Sequence, residues 1–121
     1  MDAATRERLL RLVGLGVRSR GAVVGVEQVR NAAFRGRLAY AVVAADASRH
    51  SLEKVKPLLE ARRIRYIEAP SAAELGAAVG RELTAAVGIV DRQLARGIRA
   101  LVESGEGPRR GALPGSKRRM D

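Results

Sequence analysis

The pattern of apolar and polar positions divides the chain into alternating helices and short strands. Helices are predicted where apolar residues recur three or four positions apart, and strands where they form short continuous runs. The predicted helices cover Asp2–Arg20, Gly25–Gly36, a segment capped by Asp46 or Ser48 that extends to Arg62, Ser71–Gly80, and a last segment that follows Asp91. The predicted strands cover Ala22–Val24, Leu38–Ala45, Ile64–Glu68 and Leu83–Val90.

Several residues predict where these helices begin and end. Asp2 and Asp91 precede apolar helical patterns and are predicted to cap them. Ser71 and Glu74 have the S-x-x-E spacing of a capping box, and Gly80 is predicted to end that helix. Pro57 predicts a kink, with the regular part of its helix beginning there.

The alternation of helices and strands predicts a three-layer α/β/α sandwich around a small mixed four-stranded sheet, formed by residues 1–103. The composition then changes, because Ser104–Asp121 holds four glycines and two prolines and has no apolar periodicity. We expect residues 104–121 to be a disordered basic tail.

The charge of the chain predicts a polyanionic partner. The formal net charge is +10 and the isoelectric point is about 11.4. The tail accounts for +3 of this charge, so residues 1–103 carry +7. A basic surface of this kind is attracted to nucleic acid, although it also serves solubility alone.

The same composition argues against an enzyme, a metal site and a membrane segment. The chain has no cysteine and only one histidine, His50, so thiolate and clustered-histidine sites are excluded. Its longest uncharged apolar runs are about eight residues, as in Leu83–Val90, whereas a membrane helix needs about 20. We therefore expect a cytoplasmic protein that is not an enzyme and needs no cofactor or metal.

The segment Gly25–Gly36 is the best candidate for a binding surface. Its predicted helix places Glu27, Asn31 and Arg35 on one outward ridge, with Gln28 beside it. A helix start that combines free backbone N–H groups with a carboxylate, amides and a cation suits base edges and phosphates.

Four segments resemble a known family. Leu12–Gly25 resembles the L-L-G-L-A-x-R-A-G-K-L-V-x-G opening of bacterial YlxQ-like proteins, which belong to the kink-turn RNA-binding ribosomal protein superfamily. Pro57–Leu59, Ile64–Ile67 and Pro70–Gly80 resemble archaeal ribosomal members, most specifically in an E-L-G-x-A-x-G helix. The resemblance covers roughly residues 9–103 and implies an α/β/α sandwich that binds sharply bent RNA.

The resemblance implies one RNA-binding element at the turn before the second helix. The family carries G-x-N/E/K-E/Q/L-x-x-K there, and Gly25, Val26, Glu27 and Gln28 match its first four positions. These side chains would face the guanine edges of sheared G·A pairs. The closing lysine of the motif falls on Asn31, so this chain lacks a cation that the family aims at guanine.

A second element is implied at the loop before the last strand, formed by Arg81, Glu82, Leu83 and Thr84. In the family an apolar side chain of this loop packs against a flipped-out nucleotide, and Leu83 is the candidate here. Arg35, one turn beyond Asn31, is placed to reach phosphate.

The sequence therefore predicts a non-enzymatic RNA-binding protein that recognises kink-turn or other bent RNA in a ribosomal or translation context. Its expected partners are structured RNA and components of the ribosome or another ribonucleoprotein, without a membrane. The alternative is a protein-interaction module on the same fold with only non-specific affinity for RNA.

Overall fold

The structure is a computed structural model that describes residues 1–106. The helices are α1 (Ala3–Arg18), α2 (Val26–Phe34), α3 (Arg49–Ala61), α4 (Ala72–Val79) and α5 (Arg92–Glu106). The strands are β1 (Ala22–Val24), β2 (Tyr40–Val43), β3 (Tyr66–Glu68) and β4 (Ala86–Ile89). The number and order of these elements agree with the prediction.

The four strands form one mixed sheet in the order β1-β4-β2-β3. The last strand in sequence, β4, lies between β1 and β2 and is antiparallel to both, whereas β2 and β3 are parallel. Residues Val87 and Ala86 at the start of β4 face Val24 and Val43 at the ends of their strands. The predicted mixed sheet and α/β class are confirmed.

Helices cover both faces of the sheet because successive side chains of a strand point to opposite sides. In β2, Tyr40 and Val42 pack into a cluster with α1, α4 and α5, whereas Ala41 and Val43 pack with α2 and α3. The helical contributions to the first cluster include Leu9, Val13, Leu75, Ile98 and Val102. This two-sided burial explains the continuous apolar run in the sequence and gives the three layers of the sandwich.

Local capping accounts for most helix starts. The Thr5 N–H donates to Asp2 Oδ1 at 2.8 Å, and the Leu94 N–H donates to Asp91 Oδ1 at 2.9 Å. The predicted capping box is present at α4, which ends at Gly80 in the left-handed conformation with φ of 80°. These predictions are confirmed.

Two predicted strands are too long, and the prediction for Pro57 is wrong. The strand predicted over Leu38–Ala45 is reduced to β2, and the strand predicted over Leu83–Val90 begins only at Ala86. Both are shorter because a strand ends where its neighbours end, and β1 and β3 have three residues each. Pro57 is predicted to begin the regular part of its helix afresh, but it lies inside a single helix, α3, whose start at Arg49 agrees with the predicted cap at Ser48.

The C-terminal prediction is only partly within the described residues. Helix α5 runs to Glu106, slightly beyond the predicted end of the domain at residue 103. The rest of the predicted basic tail, residues 107–121, lies outside the part of the chain that the structure describes.

Candidate nucleic-acid interface

Both predicted RNA-binding elements lie at one end of the sheet. Strands β1, β2 and β3 are mutually parallel in direction, and helices α2, α3 and α4 begin where they end. The loop of residues 81–85 enters the antiparallel strand β4 at that same end. Two backbone bonds hold it there, from Gly25 N–H to the Ala86 carbonyl and from Ala44 N–H to the Ala85 carbonyl, each 2.8 Å.

The turn before α2 requires glycine. Gly25 has φ of 100° and ψ of 155°, a region that is essentially restricted to glycine. Its carbonyl accepts the Val29 N–H at 2.9 Å, so Gly25 also begins the helix. A Cβ at Gly25 would meet no atom within 4 Å, which leaves this side of the turn open to a ligand.

Helix α2 has no side-chain cap, because Gly25 occupies its N-cap position. In the other four helices of residues 1–106, a side-chain oxygen of the N-cap residue accepts a hydrogen bond from a backbone N–H of the first turn. These N-cap residues are Asp2, Ser48, Ser71 and Asp91. The exposed first turn of α2 therefore offers N–H groups and the positive end of the helix dipole. Such a helix start is favourable for a phosphate or a base acceptor.

The exposed ridge of α2 consists of Glu27, Gln28 and Asn31. Glu27 is the only charged member, and the Lys54 ammonium of α3 lies 3.6 Å from its carboxylate. Val26 is half-buried and packs against the α2–α3 side of the core. Lys54 therefore brings to this ridge a cation that the motif of α2 itself does not contain.

The two arginines nearest Asn31 in sequence do not replace the missing lysine. Arg30 points to α3, where its Nη1 donates to the Lys54 carbonyl at 2.8 Å. Arg35 is the C-cap of α2, so it lies at the opposite end of the helix from Gly25. The structure thus separates Arg35 from the other predicted site residues.

The loop before β4 exposes three of its four predicted residues, Arg81, Glu82 and Leu83. The Leu83 side chain is 69% exposed, so it belongs to the surface and not to the core. Thr84 is instead buried, and its N–H donates to the Ala72 carbonyl at 3.1 Å. Within residues 1–106 its hydroxyl has no hydrogen-bond partner, and it faces the interior rather than a ligand.

Helix α4 positions this loop. The Ser71 N–H donates to Glu74 Oε1 at 3.0 Å, and the Glu74 N–H donates to Ser71 Oγ at 3.1 Å. The bond from the Ser71 backbone N–H lowers the pKa of Glu74, and Arg6, 3.3 Å away, adds to the effect. The capping box therefore stabilises the start of the helix against which the loop packs.

Sequence reasoning missed Lys54, since its position beside Glu27 depends on the packing of α3 against α2. No local pattern identifies it, because the two residues are far apart in the chain and share no motif. The packing of α3 against α2 follows a general rule, because consecutive parallel βαβ units place their helices side by side on one face of the sheet.

Other kinds of site find no support in the described part of the chain. No group of three or more His, Cys, Asp or Glu side chains within residues 1–106 is arranged to hold a metal ion. Within the same residues, no helix is long and apolar enough to span a membrane.

Comparison with solved structures identifies similar folds. A protein of unknown function from Bacillus halodurans C superposes with a TM-score of 0.72 at 27% identity, covering 78% of this chain and 96% of that chain. The Giardia lamblia 15.5kD RNA binding protein superposes with a TM-score of 0.69 at 20% identity, covering 84% of this chain and 93% of that chain. At this level of identity the second match shows a shared fold.

Comparison of the sequence with protein families identifies the family of this chain. No curated protein matches the chain. A family model does match, and its match spans residues 7–98, which include all four strands and both predicted RNA-binding elements. The chain therefore belongs to the ribosomal protein L7Ae/L30e/S12e/Gadd45 family.

Proposed function

We propose that this protein is a non-enzymatic RNA-binding protein that recognises kink-turn or similarly bent RNA, in a ribosomal or translation context in the cytoplasm. The family match and the fold shared with a 15.5kD RNA binding protein support RNA as the ligand. The net charge of +10 supports a polyanionic partner.

The observation that carries the proposal is the juxtaposition of the α2 turn and the loop before β4. The turn offers uncapped N–H groups with Glu27 and Gln28 beside them, and the loop offers the exposed Leu83. The backbone bond from Gly25 to Ala86 keeps the two elements together. A bent RNA presents base edges and an unstacked nucleotide at one place, which fits polar and apolar groups set side by side.

Each element has a distinct role in this proposal. The first turn of α2 receives phosphate or base acceptors, while Gln28 and Glu27 bond to the donor and acceptor groups of G·A pairs. Leu83 packs against a flipped-out base and is removed from water. Burying such a side chain contributes about 1.5–3 kcal/mol.

The test compares a kink-turn RNA with a plain RNA duplex of the same length, by fluorescence anisotropy at two salt concentrations. We expect tighter binding to the kink-turn than to the duplex at both salt concentrations. The affinities for the two RNAs should fall steeply with salt, because phosphate contacts release counterions. Equal affinities for the two RNAs would contradict kink-turn recognition.

A matched pair of variants tests the role of the loop. Leu83→Ser should reduce kink-turn affinity, whereas Leu15→Ser changes a leucine that is 49% exposed in the last turn of α1, near the start of β1 and away from the end of the sheet where β1 leads into α2. We expect Leu15→Ser to leave the affinity unchanged. Equal losses in the two variants would show that Leu83 does not contact the RNA.

The alternative function, a protein-interaction module, is favoured by one observation. Asn31 stands where the resemblance places a guanine-binding lysine, and it is exposed on the α2 ridge. Under this alternative the same surface binds a protein and RNA is held only by charge. The duplex comparison separates the two functions.

A further inference from the structure

A second surface of the protein surrounds Phe34, at the opposite end of α2 from Gly25. Phe34 is the last residue of α2 and the only phenylalanine of the chain, and its side chain is 51% exposed. Two guanidinium groups lie over its ring, that of Arg30 at 5.4 Å and that of Arg62 at 5.5 Å from the ring centroid. The ring and the two cations form one unit.

Hydrogen bonds to backbone carbonyls hold both guanidinium groups in place. Arg30 Nη1 donates to the Lys54 carbonyl at 2.8 Å, and Arg62 Nη1 donates to the Ala33 carbonyl at 3.3 Å. Each guanidinium has five N–H groups, so one bond leaves other donors for a ligand. Because the groups are already oriented, a ligand that binds them immobilises little additional side-chain freedom.

The positive charge around Phe34 is not neutralised. Three more exposed arginines lie within three residues of Phe34 or Arg62 in the chain: Arg35, Arg37 and Arg63. Among residues 1–106, none of the five arginines forms an ion pair with a carboxylate, unlike Arg6 and Arg65 elsewhere on the surface. Glu60, in the last turn of α3, accepts a hydrogen bond from the Tyr66 hydroxyl at 2.7 Å.

We propose that Phe34 and these five arginines bind an unpaired RNA strand. The half-exposed ring and the guanidinium planes over it offer flat surfaces for stacking on bases, and the remaining N–H groups bind phosphates. A duplex cannot use the ring, because its base faces are already stacked within the helix. The acidic side chains of a peptide can satisfy the charges but offer no aromatic face to the ring.

The position of this surface fits a strand that leaves the proposed kink-turn site, and this part of the inference rests on that proposed function. Helix α2 has nine residues, so its ends are separated by about 13 Å at 1.5 Å per residue. At about 3.4 Å per stacked nucleotide this distance is roughly four nucleotides. An unpaired extension of that length would reach Phe34 from the first turn of α2.

The test uses a single-stranded oligouridylate of about ten nucleotides and the full-length protein. Phe34→Leu preserves an apolar, helix-compatible side chain but removes the stacking face, and we expect it to weaken oligouridylate binding about tenfold. Phe34→Trp retains a face and should restore binding. Equal affinity of the wild-type protein and Phe34→Leu, with unchanged thermal unfolding, would overturn the proposal.

Two substitutions test whether binding depends only on net charge, because each removes one positive charge from a different part of the surface. Arg37→Gln lies in the proposed surface, and Arg96→Gln lies on the exposed side of α5. We expect a larger loss of oligouridylate affinity for Arg37→Gln. Equal losses would show that binding depends only on net charge, and Phe34-dependent binding of an acidic peptide without oligouridylate binding would assign the surface to a protein.

The proposals for the two surfaces can be tested separately. For a kink-turn RNA with blunt ends, Phe34→Leu should leave affinity unchanged, whereas a four-nucleotide extension should add affinity that this variant loses. If the kink-turn binds no better than a duplex, the oligouridylate result still decides whether Phe34 binds an unpaired strand. No gain from the extension would contradict the continuous path along α2.

Discussion

The backbone of Gly76 lies directly against the carbonyl group of Glu82, so that α4 and the loop before β4 touch without an intervening side chain. A Cβ at position 76 would stand 2.7 Å from the Glu82 carbonyl oxygen and 2.9 Å from that of Arg81. The Arg81 N–H also donates to the Gly76 carbonyl at 2.8 Å. This close approach holds in place the loop on which the exposed Leu83 lies.

The first prediction concerns Gly76→Ala, which inserts a methyl group against backbone atoms. We expect the loop to shift and kink-turn affinity to fall, because overpacking costs about 1–3 kcal/mol while the helix gains only about 1 kcal/mol from alanine. Gly97→Ala is the control, since a Cβ there meets no atom within 4 Å. Gly97→Ala should raise the free energy of unfolding and leave affinity unchanged. If both variants behaved alike in urea unfolding and RNA binding, the contact would not position the loop.

A second prediction separates binding from folding at the start of α2. Gln28 is exposed, and alanine is a good helix former, so Gln28→Ala should hardly change thermal unfolding. If Gln28 bonds a base edge, kink-turn affinity falls by about 1–3 kcal/mol. Gln93→Ala, at an exposed position in α5, should change neither quantity. An unchanged affinity for Gln28→Ala would place the RNA elsewhere on the sandwich.

A third prediction restores the cation that the motif lacks. Asn31→Lys places an ammonium on the ridge four residues after Glu27, a spacing that also stabilises a helix by about 0.2–0.5 kcal/mol. We expect a selective gain for the kink-turn of about 1–3 kcal/mol through guanine O6 and N7. Gln93→Lys adds the same charge on α5 and should strengthen kink-turn and duplex binding equally. An equal gain from Asn31→Lys for both RNAs would favour the protein-interaction function.

A fourth prediction uses the pH dependence of stability. The Ser71 N–H holds the pKa of Glu74 below its ordinary value of 4.5 in the folded protein. Its ionised form therefore stabilises the fold above pH 4.5, and this contribution is lost as the pH falls through the folded-state pKa. We expect Glu74→Gln to be less stable than the wild-type protein at pH 7, with a difference that shrinks in acid. A difference in urea unfolding that stays constant from pH 7 to pH 3 would contradict this account.

The sequence allowed the local features of the fold to be predicted. Caps and stops depend on residues close together in the chain, so Asp2, Asp91 and the Ser71–Glu74 box were identified correctly. Strand ends were not, because they depend on partner strands that are distant in sequence. Leu83 illustrates the error, since an apolar residue before an apolar run resembles the start of a strand but lies in an exposed loop.

The candidate site was likewise predictable only where it depends on residues close together in the chain. The residues of the α2 turn form a contiguous motif and were named from it, whereas Lys54 and Arg62 reach α2 from α3. Contacts of this kind arise only when two βαβ units are packed side by side. The surface around Phe34 was missed for the same reason, because its two ring-stacked guanidinium groups come from different helices.

The proposed RNA-binding site is tested most directly by mapping the RNA onto the protein by NMR. Spectra of nitrogen-15-labelled protein, titrated with a blunt-ended kink-turn RNA, report which backbone amides change. We expect the largest amide shifts at Gly25–Gln28 and in the loop of residues 81–85, with little change around Leu15. Shifts spread over the arginines of every surface, or confined to a region away from the α2 turn, would contradict the proposed site.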